Sequence, residues 1–212
     1  MYCQPESYVA RRDGATRLRR MHRDGPGRLQ VVCGPMFAGK SEELVRRVRR
    51  AQLAGLAVEV VNHALDERHG AGQVASHSGL SVPSRTAPDV GSLVALVGGR
   101  GLDLLAIDEA QFFGTDLVPA VAKLVLAGTT VVVAGLCVTF DGRPFEPLPA
   151  LMALAEDVTK LTAVCAVCGE DAAFHQRVRH GKVGDARAPA AEHVGGIEAY
   201  QARCRRHFSG SA

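Results

Sequence analysis

The sequence predicts an α/β fold, a mainly parallel sheet alternating with helices, followed by a small metal-pinned module. Short apolar runs recur at Leu29 to Cys33, Ala57 to Asn62, Leu102 to Ile107 and Thr130 to Ala134, the pattern of strands buried on both sides. Helical spacing fills most of the intervals, and strict alternation of strand and helix favours parallel pairing. After about Thr162 the character changes to paired cysteines, a strand-like Ala172 to Arg179 and a Gly- and Ala-rich stretch from Gly181 to Gly196. The expected division is a basic arm at 1–28, an α/β domain at 29–162 and the small module at 163–212.

Composition narrows the function classes. With 212 residues, 47% hydrophobic and 22% charged, the chain can bury a full core. Its net charge of +3 is small, and much of it lies in the first 28 residues, where seven Arg stand against three acids. That is too little for a nucleic-acid footprint, and no basic stripe interleaved with aromatics is present. No apolar run approaches the roughly 18 to 20 residues that span a bilayer, and the N-terminus lacks the apolar stretch of a secretory signal. A reducing cytoplasm and no membrane partner are expected. Met1 to Arg28 has no sustained apolar periodicity and reads as a solvated arm.

Leu29 to Cys33 is the first strand. In Ser41 to Ala54, Leu44, Val48 and Ala51 mark one apolar face, Arg46, Arg47, Arg49 and Arg50 read as solvated sides, and Gly55 is the stop. Asp89 is placed to cap a helix through Leu93 to Val97, and Asp116 another through Val118 to Leu126, ending at Gly128.

Between the first strand and the first helix stands Gly34-Pro35-Met36-Phe37-Ala38-Gly39-Lys40-Ser41. The pattern G-x-x-x-x-G-K-[ST] is a phosphate cradle: its glycines let successive backbone N–H groups turn inward at a helix N-terminus whose dipole favours anions. Lys40 is then expected to reach the β- and γ-phosphates of a nucleotide, and the Ser41 hydroxyl to face Mg²⁺. A second signal is Asp108-Glu109-Ala110-Gln111, delivered at the C-terminal end of a buried strand, where ligands bind in open α/β sheets. Asp108 suits a metal-holding role and Glu109 that of a proton acceptor.

Cys165-Ala-Val-Cys168 and Cys204-Arg-Arg-His207 each offer two ligands from a tight turn. Together they predict a closed tetrahedral Zn²⁺ site, structural because no position is left for water. Cys3, Cys33 and Cys137 have no such spacing; Cys33 reads as a small core residue. The histidines other than His207, with His63 and His175 among them, lack ligand-like spacing, and most read as surface or loop residues.

The segments GPMFAGKSEEL, DEAQFF, TFDGRPF, KLTAVCAVC and VGGIEAY, in this order, resemble the type II thymidine kinases of the human cytosolic and bacterial kind. The resemblance covers about Leu29 to Phe208. It implies a RecA-like P-loop parallel sheet with helices on both faces and a small zinc-ribbon-like lasso domain that closes over thymidine. It further implies ATP with Mg²⁺ on Gly34 to Ser41 and on Asp108, Glu109, Ala110 and Gln111, with Glu109 as the base at the 5′-hydroxyl. Arg68, in Asp66-Glu67-Arg68, matches an element near the phosphates. Phe140 matches an aromatic residue beside the thymine; His193, Val194, Gly195, Gly196 and Tyr200 match the lasso, and Met36 and Phe112 are further pocket candidates. A homotetramer and dTTP feedback inhibition are also implied.

Three departures stand out. Cys137 occupies the position of an Asp usual in the family, His207 replaces a Cys ligand, and the lasso between Arg177 and Val194 is longer than in the human enzyme. Asp-Glu-Ala-Gln also resembles a helicase box, so a nucleic-acid-dependent ATPase with a zinc module is the competing expectation. The chain's length argues against it, since helicases usually need two such domains.

Overall fold

A computed structural model describes residues 25–66, 72–75, 79, 81–179, 182–183 and 200–209. Six strands form the central sheet: β1 (Leu29–Gly34), β2 (Val58–His63), β5 (Arg85–Ala87), β6 (Leu104–Asp108), β7 (Thr130–Leu136) and β8 (Asp157–Lys160). Their order is β5-β2-β6-β7-β1-β8, and every pairing in it is parallel. A short antiparallel hairpin, β3 (Gln73–Ala75) with β4 (Ser81–Pro83), sits beside it.

Side chains alternate across a strand, so each central strand feeds two cores. Val32, Val60, Ala106, Val132 and Ala134 point to one face, against Leu44, Val45, Val48 and Ala51 of α1 (Lys40–Leu53) and the hairpin's Val74 and Val82. Val31, Cys33, Leu105, Ile107, Val131 and Val133 point to the other face. There they meet Leu93 and Val97 of α2 (Val90–Val97), Leu117 and Val121 of α3 (Leu117–Leu126), and Leu148 and Leu151 of α4 (Leu148–Leu154). Fully burying one such Val or Leu contributes about 1.5–3 kcal/mol, and truncating one to Ala costs about 2–5 kcal/mol. Helices on both faces and a parallel sheet agree with the expected fold.

Local signals differ in how they are used. Asp89 caps α2 as expected, its Oδ1 accepting the Ser92 N–H at 2.7 Å. Asp116 does not cap α3: its own backbone is already helical, and the turns Leu117 N–H to Gly114 O and Val118 N–H to Thr115 O close the helix entry instead. The run Arg46 to Arg50 is not uniformly solvated either. The Arg47 side chain is only 13% exposed. Its guanidinium donates to Glu43 Oε1, Gln30 Oε1, Asp157 Oδ2 and Thr159 Oγ1 at 2.7–2.8 Å, tying α1 to β1 and to the edge strand β8. Spacing shows which face of a helix is polar, but not that an edge strand passes beneath it.

The small module comes after β8. Strands β9 (Ala163–Val164) and β10 (Asp171–Ala172) form one hairpin, and β11 (Phe174–Arg179) pairs antiparallel with β12 (Lys182–Val183) and β13 (Tyr200–Arg203).

The Glu43 carboxyl is held down to about 2 by its hydrogen bond to Arg46, with Arg47 adding to the effect and burial opposing it. A depressed carboxyl stabilises the fold above its unfolded value and loses that contribution as pH falls toward its folded value. Glu43→Gln is therefore expected to lower stability by about 1 kcal/mol at pH 7, the partly exposed pairs being discounted for screening. The difference should shrink between about pH 5 and pH 2, read as urea midpoints of the two proteins across that range.

Candidate active site

The C-terminal ends of β1, β6 and β7 meet at one rim of the sheet. At the end of β1 the chain passes tightly against the segment after β8, with Leu161 N–H donating to Cys33 O at 2.8 Å. A Cβ on Gly34 would lie 2.6 Å from Leu161 O and 3.2 Å from Ala38 Cβ, so no side chain fits there. Gly39, at φ 80°, takes the left-handed turn that starts α1. Lys40 Nζ folds back to donate to Pro35 O at 2.8 Å, lying along the loop it belongs to.

Ser41 Oγ donates to Asp108 Oδ2 at 2.9 Å, joining the first turn of α1 to the end of β6. Asp108 Oδ1 accepts the Glu109 N–H at 2.9 Å, and both acids are buried. A hydroxyl and a carboxylate converging beside a phosphate loop form a hard-oxygen donor set that fits Mg²⁺. Among the described residues, two other than glycine have left-handed backbones, Phe37 at φ 66° and Glu109 at φ 51°. One lies in the loop and the other comes directly after the strand-end Asp108, so the site holds about 1–3 kcal/mol of conformational cost at each.

Glu109 leads into a 3-10 turn, Ala110–Phe113. Ala110 lies in the hydrophobic core, and Gln111 turns toward Glu109, its Nε2 donating to Glu109 Oε2 while its Oε1 accepts the Leu136 N–H at 2.9 Å. Phe112 and Phe113 flank His63, with ring centroids 5.7 Å and 4.6 Å away. His63 is buried, an exception to the expectation that most histidines lie at the surface or in loops, because it ends β2 beside these rings. Burial pushes its imidazole below the ordinary value, against a hydrogen bond to the Pro88 backbone and the charge of Asp89. The neutral ring's Nδ1 accepts the Leu65 N–H at 3.1 Å, which shapes the turn leading to Asp66.

An apolar cluster stands beside the loop. Met36, Leu136, Phe140 and Tyr200 are packed together, with Phe37 and Phe145 against them. Phe140 and Tyr200 have ring centroids 6.4 Å apart, and His175, also buried, lies 5.8 Å from Tyr200. Thus Met36, Phe140 and Tyr200, drawn from three distant segments, share one buried apolar cluster; Phe112 stands against His63 instead. Arg68, His193, Val194, Gly195 and Gly196 lie outside the described residues.

Cys33 and Cys137 turn out to be neighbours. Their thiols come together beyond the paired ends of β1 and β7, and this contact is the main cause lowering the Cys137 thiol, with burial opposing it and Lys160 and Lys40 assisting; the same contact pushes the Cys33 thiol up. No spacing in the sequence signals this pair, because it depends on strand register.

The ligand atoms of Cys165, Cys168, Cys204 and His207 all lie within 4.8 Å of one another. Cys168 Sγ and Cys204 Sγ are 3.7 Å apart, and His207 Nδ1 is 3.8 Å from Cys165 Sγ and 3.2 Å from Cys204 Sγ. Tetrahedral sites with Zn–S bonds of about 2.3 Å have ligand separations of about 3.8 Å, so the four groups fit Zn²⁺. Cys165 and Cys204 also lie in a small apolar cluster with Ala163, Ala172 and Ala202, and Phe37 and Ala38 of the phosphate loop pack against it.

Comparison with known proteins agrees with this geometry. A family model described as thymidine kinase matches residues 27–208. The thymidine kinase of Deinococcus deserti is 43% identical over 190 residues, 85% of this chain and 94% of that protein. Those of Deinococcus radiodurans and Halobacterium salinarum are each 44% identical, over 83% and 84% of this chain and 87% and 92% of their own lengths. With a phosphate loop, a strand-end acid pair and a Cys/His cluster in one continuous match, the chain belongs to the thymidine kinase family.

Proposed function

We propose that the chain transfers the γ-phosphoryl group of ATP to the 5′-hydroxyl of thymidine, giving dTMP and ADP. The observation that carries this reading is the convergence of Ser41, Asp108 and Glu109 at one strand-end rim, in a chain of this family. Gly34 to Ser41 cradle the phosphates through backbone N–H groups, and Lys40 leaves its seat on Pro35 to meet their charge. Ser41 and Asp108 would hold Mg²⁺, which when bound offsets charge on the phosphates. Glu109 accepts the 5′-hydroxyl proton, and the wall of Met36, Phe140 and Tyr200 orients the nucleoside. Arg68 and the segment His193 to Gly196 complete the site on the family's pattern. Because the transition state of phosphoryl transfer is loose, alignment and charge neutralisation carry most of the rate.

Cys165, Cys168, Cys204 and His207 would hold Zn²⁺ as a cross-link with no water position, so it takes no part in the chemistry. A homotetramer, feedback inhibition by dTTP and a cytoplasmic location belong to the same reading. No helix among the described residues is long and apolar enough to cross a membrane.

Labelled phosphate from γ-labelled ATP is expected on thymidine and not on its 5′-deoxy analogue; release that depends on DNA and ignores nucleosides would overturn the reading. Glu109→Gln should lower kcat about 10²- to 10³-fold with KM for ATP nearly unchanged, and near-normal turnover would remove Glu109 as the base. Cys204→Ser should lower zinc content by elemental analysis and reduce Tm by several degrees, since a closed structural site contributes directly to folding.

A further inference from the structure

We infer that Gln111 is a positioning residue for the reaction, holding the Glu109 carboxylate in one orientation by anchoring it to the end of β7. The inference rests on Glu109 acting as the base. Gln111 is itself buried, two residues past Glu109 in the turn Ala110–Phe113. Its side-chain amide spans two strand ends, donating through Nε2 to Glu109 Oε2 and accepting through Oε1 from the Leu136 N–H at 2.9 Å.

Chemistry dictates this orientation. A backbone N–H can only donate, so the amide oxygen must face Leu136; an ionised carboxylate can only accept, so the amide nitrogen must face Glu109. Turning the amide over would set oxygen against oxygen and N–H against N–H. The amide also packs closely on β7: a Cβ on Gly135 would stand 2.7 Å from Gln111 Oε1, 3.0 Å from Leu148 Cδ2 and 3.3 Å from Ala110 N. The amide is wedged against a strand that has no side chain at the point of contact.

The clamp has something to hold. Glu109 sits at φ 51°, a left-handed conformation that a side-chain-bearing residue keeps only when its surroundings impose it. Leu136, which anchors Gln111, also belongs to the apolar cluster with Met36, Phe140 and Tyr200. The base and the wall of the acceptor pocket are therefore referenced to the same strand end, two hydrogen bonds apart. Gln111 acts through Glu109, not on the phosphates.

The test compares two substitutions with different losses. Gln111→Met removes both bonds at similar length; it is expected to lower kcat about 10- to 100-fold while KM for ATP stays within about two-fold. Gln111→Glu keeps an acceptor for Leu136 and with it the β7 anchor, so it carries the test if Gln111→Met does not fold. Its kcat should also fall about 10- to 100-fold with KM for ATP within about two-fold, since the N–H donor that holds Glu109 is gone and a second carboxyl faces it. In a Glu109→Gln background, Gln111→Met should cost nothing further. Parental kcat in both single variants, or the same full loss in the Glu109→Gln background, would overturn the inference. Absence of dTMP formation by the parent would fail the kinase reading, and an active Glu109→Gln would fail the base; each result is distinct from a failure of Gln111.

Discussion

A sheet covered by helices on both faces can present polar chemistry only at its edges and strand ends. In this chain the two cores consume nearly every side chain of β1, β6 and β7, from Val31 to Val133 on one face and Val32 to Ala134 on the other. The residues at and just past the C-terminal end of each of those strands are less bound by the core's demands. The phosphate loop, the pair Asp108-Glu109 and the segment from Leu136 to Phe140 all occupy such positions. Parallel strands bring these ends to one rim, so the topology itself sets the loop, the acid pair and the segment after β7 side by side.

The rim is buried as well as polar, and that combination sets its character. Lys40, Asp108, Glu109 and Gln111 are all withdrawn from water. Unmet polar groups there would cost about 1–3 kcal/mol each, which explains why Lys40 leans on Pro35 O, Ser41 on Asp108, and Gln111 on both Glu109 and Leu136. The left-handed backbone at Glu109 is held by the same network, through its N–H on Asp108 and its carboxylate on Gln111. Polar satisfaction and backbone strain are thus two sides of one rigid arrangement, suited to a reaction governed by alignment.

The parts legible in the sequence are those whose geometry is local. A phosphate loop is completed within eight residues, a C-x-x-C turn within four, and a central strand announces itself by unbroken apolarity. The edge strands β5 and β8 carry Arg85-Thr86-Ala87 and Asp157-Val158-Thr159-Lys160, which lack that apolarity because one side of each lies open. Helix α4 gives no clear signal either: Leu148–Leu154 is short and has prolines at its start. The role of Arg47, the burial of His63 and the contact between Cys33 and Cys137 depend on which strand lies next to which. Asp116 shows the reverse case, a residue type suited to capping that the local backbone does not use. The residues Arg68 and His193 to Gly196 rest on the family pattern alone.

The packing of Phe37 and Ala38 against the cluster around Cys165 and Cys204 has a thermodynamic consequence. The loop between β1 and α1 shares a boundary with the Cys/His cluster. Were a nucleotide on the loop and a metal on the four ligands to favour the same arrangement of Phe37 and Ala38, each would raise the equilibrium affinity of the other by an equal factor.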